Sequence, residues 1–182
     1  MRRAAYSAAL GLALLLGGGS VATLSEAQNS DKVNVYRQYD KKRRETRTLT
    51  EIMLIYGPDP GPYSIGFGLS MTAGYAFPGQ TPAPPETFTL NFLSSENHEV
   101  FAFKHDLTIK ADDDTLQPPV EYKRLGNGTA IVTEQMIATV PAAAFARIAN
   151  AGKVQVQLGE KKFTLTERQQ KNLQALLASA PR

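Results

Sequence analysis

The chain has 182 residues, with 20 lysines and arginines, 17 aspartates and glutamates and a formal net charge of +3. So mild an excess of positive charge gives no reason to expect nucleic-acid binding. There is no cysteine, which excludes disulfide bonds, thiolate catalysis, cysteine-ligated zinc and lipid attachment through a cysteine. The length is that of one domain preceded by a short N-terminal segment.

The first 27 residues predict a secretory signal peptide. Two arginines precede an apolar stretch from Ala4 to about Leu24, and small residues follow. This pattern is typical of export signals, and we predict cleavage after Ala27. Cleavage after Ala22 fits the same small-residue rule, and a retained anchor is the alternative, because a span needs roughly 20 apolar residues. We expect a periplasmic or secreted protein of bacterial type, with residues 28–182 forming a single β-rich domain and no membrane span after cleavage.

Three segments in the first half predict β-strands. In residues 64–77, SIGFGLSMTAGYAF, large apolar side chains alternate with small ones. Residues 87–93, TFTLNFL, alternate in the same way, and residues 47–57, RTLTEIMLIYG, place three apolar side chains on one face: Ile52, Leu54 and Tyr56. Strict alternation is the signature of a sheet with one face in the core. Loops rich in proline and glycine separate these strands.

The C-terminal part predicts a hairpin, then helices alternating with strands. Asn127-Gly128 marks a hairpin tip, because both residues tolerate positive φ. A helix is expected to follow Pro141 and to end near Gly152. Thr166 and Gln169 have the spacing of a capping box at the start of a second helix. The fold predicted from the whole pattern is mainly β: an antiparallel β-sandwich or strongly bent sheet of about eight strands, with two short C-terminal helices (α+β if the helices are counted).

Residues 100–110, VFAFKHDLTIK, predict a further strand that carries His105. In an unbroken register His105 shares its face with four apolar residues: Phe101, Phe103, Leu107 and Ile109. A lone histidine on an apolar face is more often a packed core residue than a catalyst. It is nevertheless the one candidate base, so a small secreted hydrolase that uses His105 with a nearby carboxylate is our alternative function.

The carboxylates available to such a hydrolase are Asp106 and the run Asp112, Asp113 and Asp114. Contiguous aspartates favour a turn, where they cap backbone amides, and they lack the alternating ligands, glycine and distal glutamate of a calcium loop. We therefore predict a solvent-exposed connection, no bound metal and no cofactor. The sequence has no nucleophile elbow, phosphate loop, zinc helix motif or paired-carboxylate signature, so an enzyme is the less favoured class.

A basic cluster supplies the candidate binding site. Residues 28–56 contain seven basic and four acidic side chains, and five of the basic ones lie close together: Lys41, Lys42, Arg43, Arg44 and Arg47. A regular strand would divide them between two faces, so a single patch needs a loop or twisted edge here. The alternative is a solvated edge strand that lysine and arginine protect from aggregation. Our preferred function is a non-enzymatic exported domain that binds a macromolecular partner or an anionic envelope surface.

Overall fold

The computed structural model describes residues 33–57, 68–125 and 131–181. The described part contains eleven strands and two helices. The strands are β1 Val35–Asp40, β2 Glu45–Thr50, β3 Met53–Tyr56, β4 Gly68–Pro78, β5 Thr87–Glu96, β6 Leu107–Ala111, β7 Asp114–Leu116, β8 Val120–Leu125, β9 Val132–Pro141, β10 Val154–Leu158 and β11 Lys161–Thr164. The helices are α1 Ala142–Asn150 and α2 Glu167–Ser179.

Seven strands form one antiparallel sheet. Six of them follow the order β1-β2-β4-β5-β9-β8, and the seventh, β3, pairs with β4 on the same side as β2. The other four form a second antiparallel sheet in the order β11-β10-β6-β7. The alternation predicted for β4 and β5 is confirmed, because five side chains of one β4 face and three of one β5 face are buried: Leu69, Met71, Ala73, Tyr75, Phe77, Phe88, Leu90 and Phe92. These side chains define the inner face of the large sheet.

One hydrophobic core joins the two sheets and both helices. Phe88 of the large sheet stacks on Phe145 of α1 with ring centroids 4.0 Å apart, and Phe92 meets Phe163 of β11 edge-on at 6.4 Å. Apolar burial of this kind is the main favourable term in folding. The mainly β, sandwich-like fold with two C-terminal helices is therefore confirmed, with strands divided more finely than the sequence indicated.

Both helices begin as the sequence predicts. Pro141 is the N-cap of α1, and the reciprocal capping box at the start of α2 is present: Thr166 Oγ1 accepts from the Gln169 backbone N–H at 3.3 Å, and the Gln169 side chain accepts from the Thr166 N–H at 2.8 Å. The buried stripe of α1 includes Phe145 and Ile148. The helices pack on the inner face, where apolar surface is available to cover.

Two strand predictions are corrected. The segment 47–57 holds parts of two strands, with a break at Glu51–Ile52 and a register shift before Tyr56. Met53 is the buried apolar residue there, and Ile52 and Leu54 are exposed. Residues 100–106 are not strand, and β6 begins only at Leu107.

The single apolar face predicted for residues 100–110 is therefore wrong in its first half. Phe101 is fully buried, whereas Phe103 is 99% exposed and His105 is half-buried. The physical reason is that this segment carries the chain from the large sheet to the small one. Its first amides bind a side chain instead of a neighbouring strand.

Several predictions fall outside the described residues. They are the signal peptide, most of the glycine- and proline-rich loop after Tyr56, and the Asn127-Gly128 tip. The two strands flanking that tip, β8 and β9, do pair antiparallel. Within the ranges that the structure describes, no helix is long and apolar enough to cross a membrane.

Candidate functional site

The basic cluster lies at the tip of the β1–β2 hairpin. Residues 41–44 form the turn, and Asp40 holds it, because Asp40 Oδ1 accepts from the backbone N–H groups of Lys42 at 2.9 Å and Arg43 at 3.1 Å. Aspartate is favoured at such positions because its short side chain reaches the amides of its own turn. Arg44 has a φ of 52°, which reverses the chain into β2. The four cations therefore project from a defined turn.

The turn is also anchored to the loop that follows β4. The Gly79 N–H donates to the Arg44 carbonyl oxygen at 2.7 Å, and Thr46 Oγ1 donates to the Gly79 carbonyl oxygen at 2.6 Å. Two hydrogen bonds to the same residue fix the hairpin tip against its neighbouring strand. The sequence alone could not place these cations together, since regular strands would have divided them between two faces.

The five predicted residues fall into two groups. Arg47 lies in β2 and is engaged by Glu45, with Nε 2.7 Å and one terminal nitrogen 2.5 Å from Glu45 Oε1. Lys41, Lys42, Arg43 and Arg44 are exposed, and none of these four makes an ion pair with any carboxylate of the described ranges. We call these four residues the basic tip.

Arg37, which is near the basic cluster in sequence, is engaged elsewhere. Its guanidinium donates to the Tyr75 hydroxyl at 3.3 Å and to the Ser179 carbonyl oxygen at 3.4 Å, and it lies 5.9 Å from the centroid of the Phe77 ring. These contacts hold the C-terminal end of α2 against β1. Arg37 therefore has a structural role within the domain and is not part of the basic tip.

His105, the residue of the alternative hypothesis, lies at the opposite end of the large sheet. Its Nδ1 is 3.1 Å from the Phe101 carbonyl oxygen, and its ring stacks on Tyr122 with centroids 5.0 Å apart. It borders a groove of about 410 Å³ that is also lined by Asp106 and Gln117. Among the described residues, no carboxylate is hydrogen-bonded to its ring. The arrangement therefore does not favour a histidine–carboxylate pair.

The three aspartates are solvent-exposed, as predicted, but only Asp112 and Asp113 form the connection between β6 and β7, and Asp114 is the first residue of β7. Asp112 accepts from the backbone N–H groups of Gly152 at 2.9 Å and Lys153 at 2.8 Å, so it ties this turn to the loop after α1. Asp114 pairs with Arg147 at 3.0 Å. No group of three or more histidines or carboxylates suited to a metal ion occurs in the described part of the chain.

Sequence reasoning missed Glu134, a fully buried carboxylate near His105. It accepts three hydrogen bonds, from the Val100 N–H at 2.8 Å, the Phe101 N–H at 2.9 Å and the Tyr122 hydroxyl at 3.0 Å. A signal was present, because Glu134 has the same parity in β9 as the buried Met136. A charged residue on the core side of an alternating strand needs internal partners.

The surroundings of Glu134 are those of a structural group. Burial, and then the hydrogen bond to Glu134, raise the pKa of Tyr122 to about 12. Burial, and then the charges of Glu96 and Glu134, raise the pKa of Tyr56 to about 12 as well. Both phenols stay neutral at physiological pH, and the donors already described occupy both oxygens of Glu134. The cluster holds the segment from Val100 to His105 in place.

No protein-family model matches the chain, and no curated protein or solved structure is significantly similar to it.

Proposed function

We propose that the protein is an exported, non-enzymatic binding domain, and that the basic tip attaches it to an anionic surface of the cell envelope. The observation that carries this proposal is the contrast between the basic tip and the two arginines on either side of it in the sequence. Arg37 and Arg47 are engaged inside the domain, whereas four consecutive cations at an exposed turn make no ion pair within the described chain. Unpaired charges on a fixed turn are available to a partner.

The geometry supports an electrostatic contact rather than a pocket. Exposed charges interact over about 8 Å at physiological ionic strength, so four cations on one turn act together on a dense array of phosphates or carboxylates. Lysine ammonium and arginine guanidinium groups both bind phosphate, and arginine does so with two parallel hydrogen bonds. Because Asp40 and Gly79 already order the turn, little conformational entropy is lost when its backbone binds a surface.

The test is retention of the purified protein on vesicles of anionic phospholipid, compared at low and high salt with neutral vesicles. We expect strong retention at low salt on anionic vesicles only, and a steep loss with added salt. A variant with glutamine at positions 41–44 should lose most of this retention. The turn should survive, because Asp40 binds backbone amides whose hydrogen bonds do not depend on those side chains.

A matched control removes the same charge from another surface. Four exposed lysines lie around the small sheet, and their replacement by glutamine lowers the net charge equally: Lys110, Lys153, Lys161 and Lys162. If the basic tip is the site, the control protein keeps most of its retention. Equal losses in the two variants would show that binding follows net charge alone, and no loss in the tip variant would refute the proposal.

The exported location rests on the N-terminal sequence and has its own test. Mass spectrometry of the protein recovered from the producing cell should give a mature chain beginning at Gln28, or at Thr23 if cleavage follows Ala22. An intact N-terminus on membrane-bound protein would identify the first segment as an anchor instead.

A further inference from the structure

The outer edge of the large sheet at β1 is open. In the part of the chain that the structure describes, β1 pairs with β2 on one side, and no strand pairs with its other side. Its register with β2 runs without a shift from Val35, opposite Thr50, to Asp40, opposite Glu45. β1 contains no proline and no bulge, so backbone donors and acceptors along its outer side can pair with another extended chain.

The opposite edge of the same sheet, β8, is protected in the usual way. It follows Pro118 and Pro119 and carries three charged side chains: Glu121, Lys123 and Arg124. Natural proteins use proline and charge to prevent edge-to-edge pairing. On β1, by contrast, the guanidinium of Arg37 is turned onto Tyr75 and α2, and Asp40 is bound to its own turn. Neither charge guards the β1 edge.

An apolar patch adjoins this open edge. Among the described residues, five large hydrophobic side chains are exposed, and four of them belong to β1, β2, β3 or the break between β2 and β3: Tyr36 (50%), Leu49 (43%), Ile52 (58%) and Leu54 (51%). Tyr36 and Leu49 are direct cross-strand partners. They share the outer face of the sheet, opposite the face that the helices cover. Exposed apolar side chains concentrated near a sheet edge are typical of an interaction surface.

We propose that the partner of this edge is a second copy of the chain, with the two β1 strands antiparallel about a two-fold axis at Gln38. In that register Tyr36 lies opposite the partner's Asp40, and Arg37 lies opposite the partner's Tyr39. Each two-fold contact is repeated, so the edge is complementary to itself. The two sheets become one, with their outer faces and apolar patches on the same side.

Charge selects this register over its neighbours. Moving the axis to residue 37 would place two Arg37 side chains opposite each other, and moving it to residue 39 would place Arg37 opposite the partner's Lys41. Like charges directly opposite in a sheet are destabilising. Intermediate registers would place inner-face residues of one copy opposite outer-face residues of the other, so the inner faces of the two sheets would no longer lie on the same side. The pairing centred on Gln38 avoids both penalties, which is the argument for a second copy as the occupant.

The interface is small, because one pair of six-residue strands and part of a patch form it. Interfaces of this size give concentration-dependent association. Sedimentation equilibrium of the purified protein should show a monomer–dimer equilibrium. Gln38 is exposed, so Gln38→Lys and Gln38→Glu should fold normally, and each should raise the dissociation constant at least tenfold by placing like charges at the axis. An equimolar mixture of the two variants should recover dimer, because it pairs opposite charges.

The matched control is Lys123→Glu on the other edge strand, and this variant should associate like the wild type. A wild-type protein that is monomeric at every concentration would overturn the proposal. So would a dimer that is unaffected by both Gln38 variants. Variants that dissociate but do not recombine in the mixture would rule out pairing centred on Gln38. A circular dichroism melt of each variant separates loss of association from loss of fold.

Discussion

At each end of the large sheet a carboxylate accepts hydrogen bonds from two backbone N–H groups, but the two carboxylates have different roles. At one end the carboxylate of Asp40 accepts from two backbone N–H groups, those of Lys42 and Arg43. At the other end the carboxylate of Glu134 also accepts from two backbone N–H groups, those of Val100 and Phe101. Asp40 is partly exposed to solvent and binds its own turn, whereas Glu134 is fully buried and binds a segment 33 and 34 residues away.

The comparison shows that burial decides what a carboxylate does. Water already solvates the exposed turn, so Asp40 shapes it at little cost and leaves the neighbouring cations accessible. The buried carboxylate has lost its water, so its hydrogen bonds must come from the protein, and their loss is costly. The Asp40 end is therefore suited to binding a surface, and the Glu134 end is suited to holding two sheets together.

The largest effect should follow removal of Glu134. Glu134→Ala leaves two backbone N–H groups and the Tyr122 hydroxyl without their acceptor and opens a small cavity. We expect a loss of roughly 2–4 kcal/mol in the free energy of unfolding, since buried donors are costly to leave unpaired. Chemical denaturation measures this change.

Glu99→Gln is the control for that experiment. Glu99 lies beside the same segment but pairs with Arg124 in a partly exposed ion pair. Such pairs contribute about 0–1 kcal/mol. A Glu134→Ala variant as stable as Glu99→Gln would show that Glu134 does not anchor the segment.

Tyr122→Phe should have the next largest effect, and the size of this effect should depend on pH. At neutral pH the variant loses one hydrogen bond, worth about 1 kcal/mol. The folded protein keeps Tyr122 protonated up to a pKa of about 12, whereas the unfolded chain releases this proton near pH 10. The unfolded state then binds fewer protons, so the wild type loses stability as the pH rises from about 10 to about 12.

Phenylalanine cannot ionise, so the alkaline loss should be smaller in Tyr122→Phe. Denaturation at pH 8 and pH 11 tests this difference. The deficit of the variant should shrink at the higher pH, and an unchanged deficit would mean that Tyr122 ionises in the folded protein as readily as in the unfolded one.

Asp112→Asn should have a smaller effect, because its two hydrogen bonds to Gly152 and Lys153 are exposed. An asparagine amide keeps one acceptor oxygen and loses the other, so we expect a loss below about 1 kcal/mol. Asp113→Asn is the matched control and should melt like the wild type, since Asp113 is an exposed turn residue. Equal melting temperatures for both variants would show that the Asp112 contacts do not stabilise the fold. A fall of several degrees in melting temperature on adding a metal chelator would instead reveal a bound cation.

The smallest effect on stability should come from Asp40→Asn at the basic tip. The pKa of the Asp40 carboxyl lies below its ordinary value of 3.8, and the backbone hydrogen bond from Arg43 is the largest cause. The ionised Asp40 carboxylate therefore makes its full, small contribution to stability at neutral pH. This contribution is lost as the pH falls below 3.8 and the carboxyl takes up a proton. The difference in melting temperature between pH 7 and pH 3 should be slightly smaller for Asp40→Asn than for the wild type. A large loss at pH 7 would place this exposed turn among the groups that hold the fold.

The sequence predicted those parts of the fold that local pattern controls. Alternation located β4 and β5, and the capping residues of α2 located its start. It failed at the segment from Val100 to Asp106, because an apolar alternation there suggested a strand while a distant carboxylate provided the hydrogen bonds. No local pattern reports that Glu134 binds residues so far away along the chain.

The candidate site was predictable in composition but not in shape. The clustering of Lys41 to Arg44 is visible in the sequence, but their common turn depends on Asp40 and on Gly79 in the loop that follows β4. The sequence places Glu45 two residues before Arg47, but it does not show that their side chains form an ion pair. That pair is seen only in the structure. Electrostatic partners depend on three-dimensional distances, and composition fixes only the number of charges.

The central position of β5 beside β9 has a consequence for the speed of folding. The two strands pair along ten residues, from Glu96 opposite Val132 to Thr87 opposite Pro141, and three other strands lie between them in sequence. Folding slows when contacts join residues that are far apart in the chain, and domains dominated by such pairings fold in milliseconds to seconds. At synthesis rates of about 5–20 residues per second, β5 waits several seconds before its partner strand exists. The buried face of β4 and β5 stays uncovered even longer, because α1, β11 and α2 follow β9 in the chain and belong to the same core. The folded state therefore cannot form until α2 has been made.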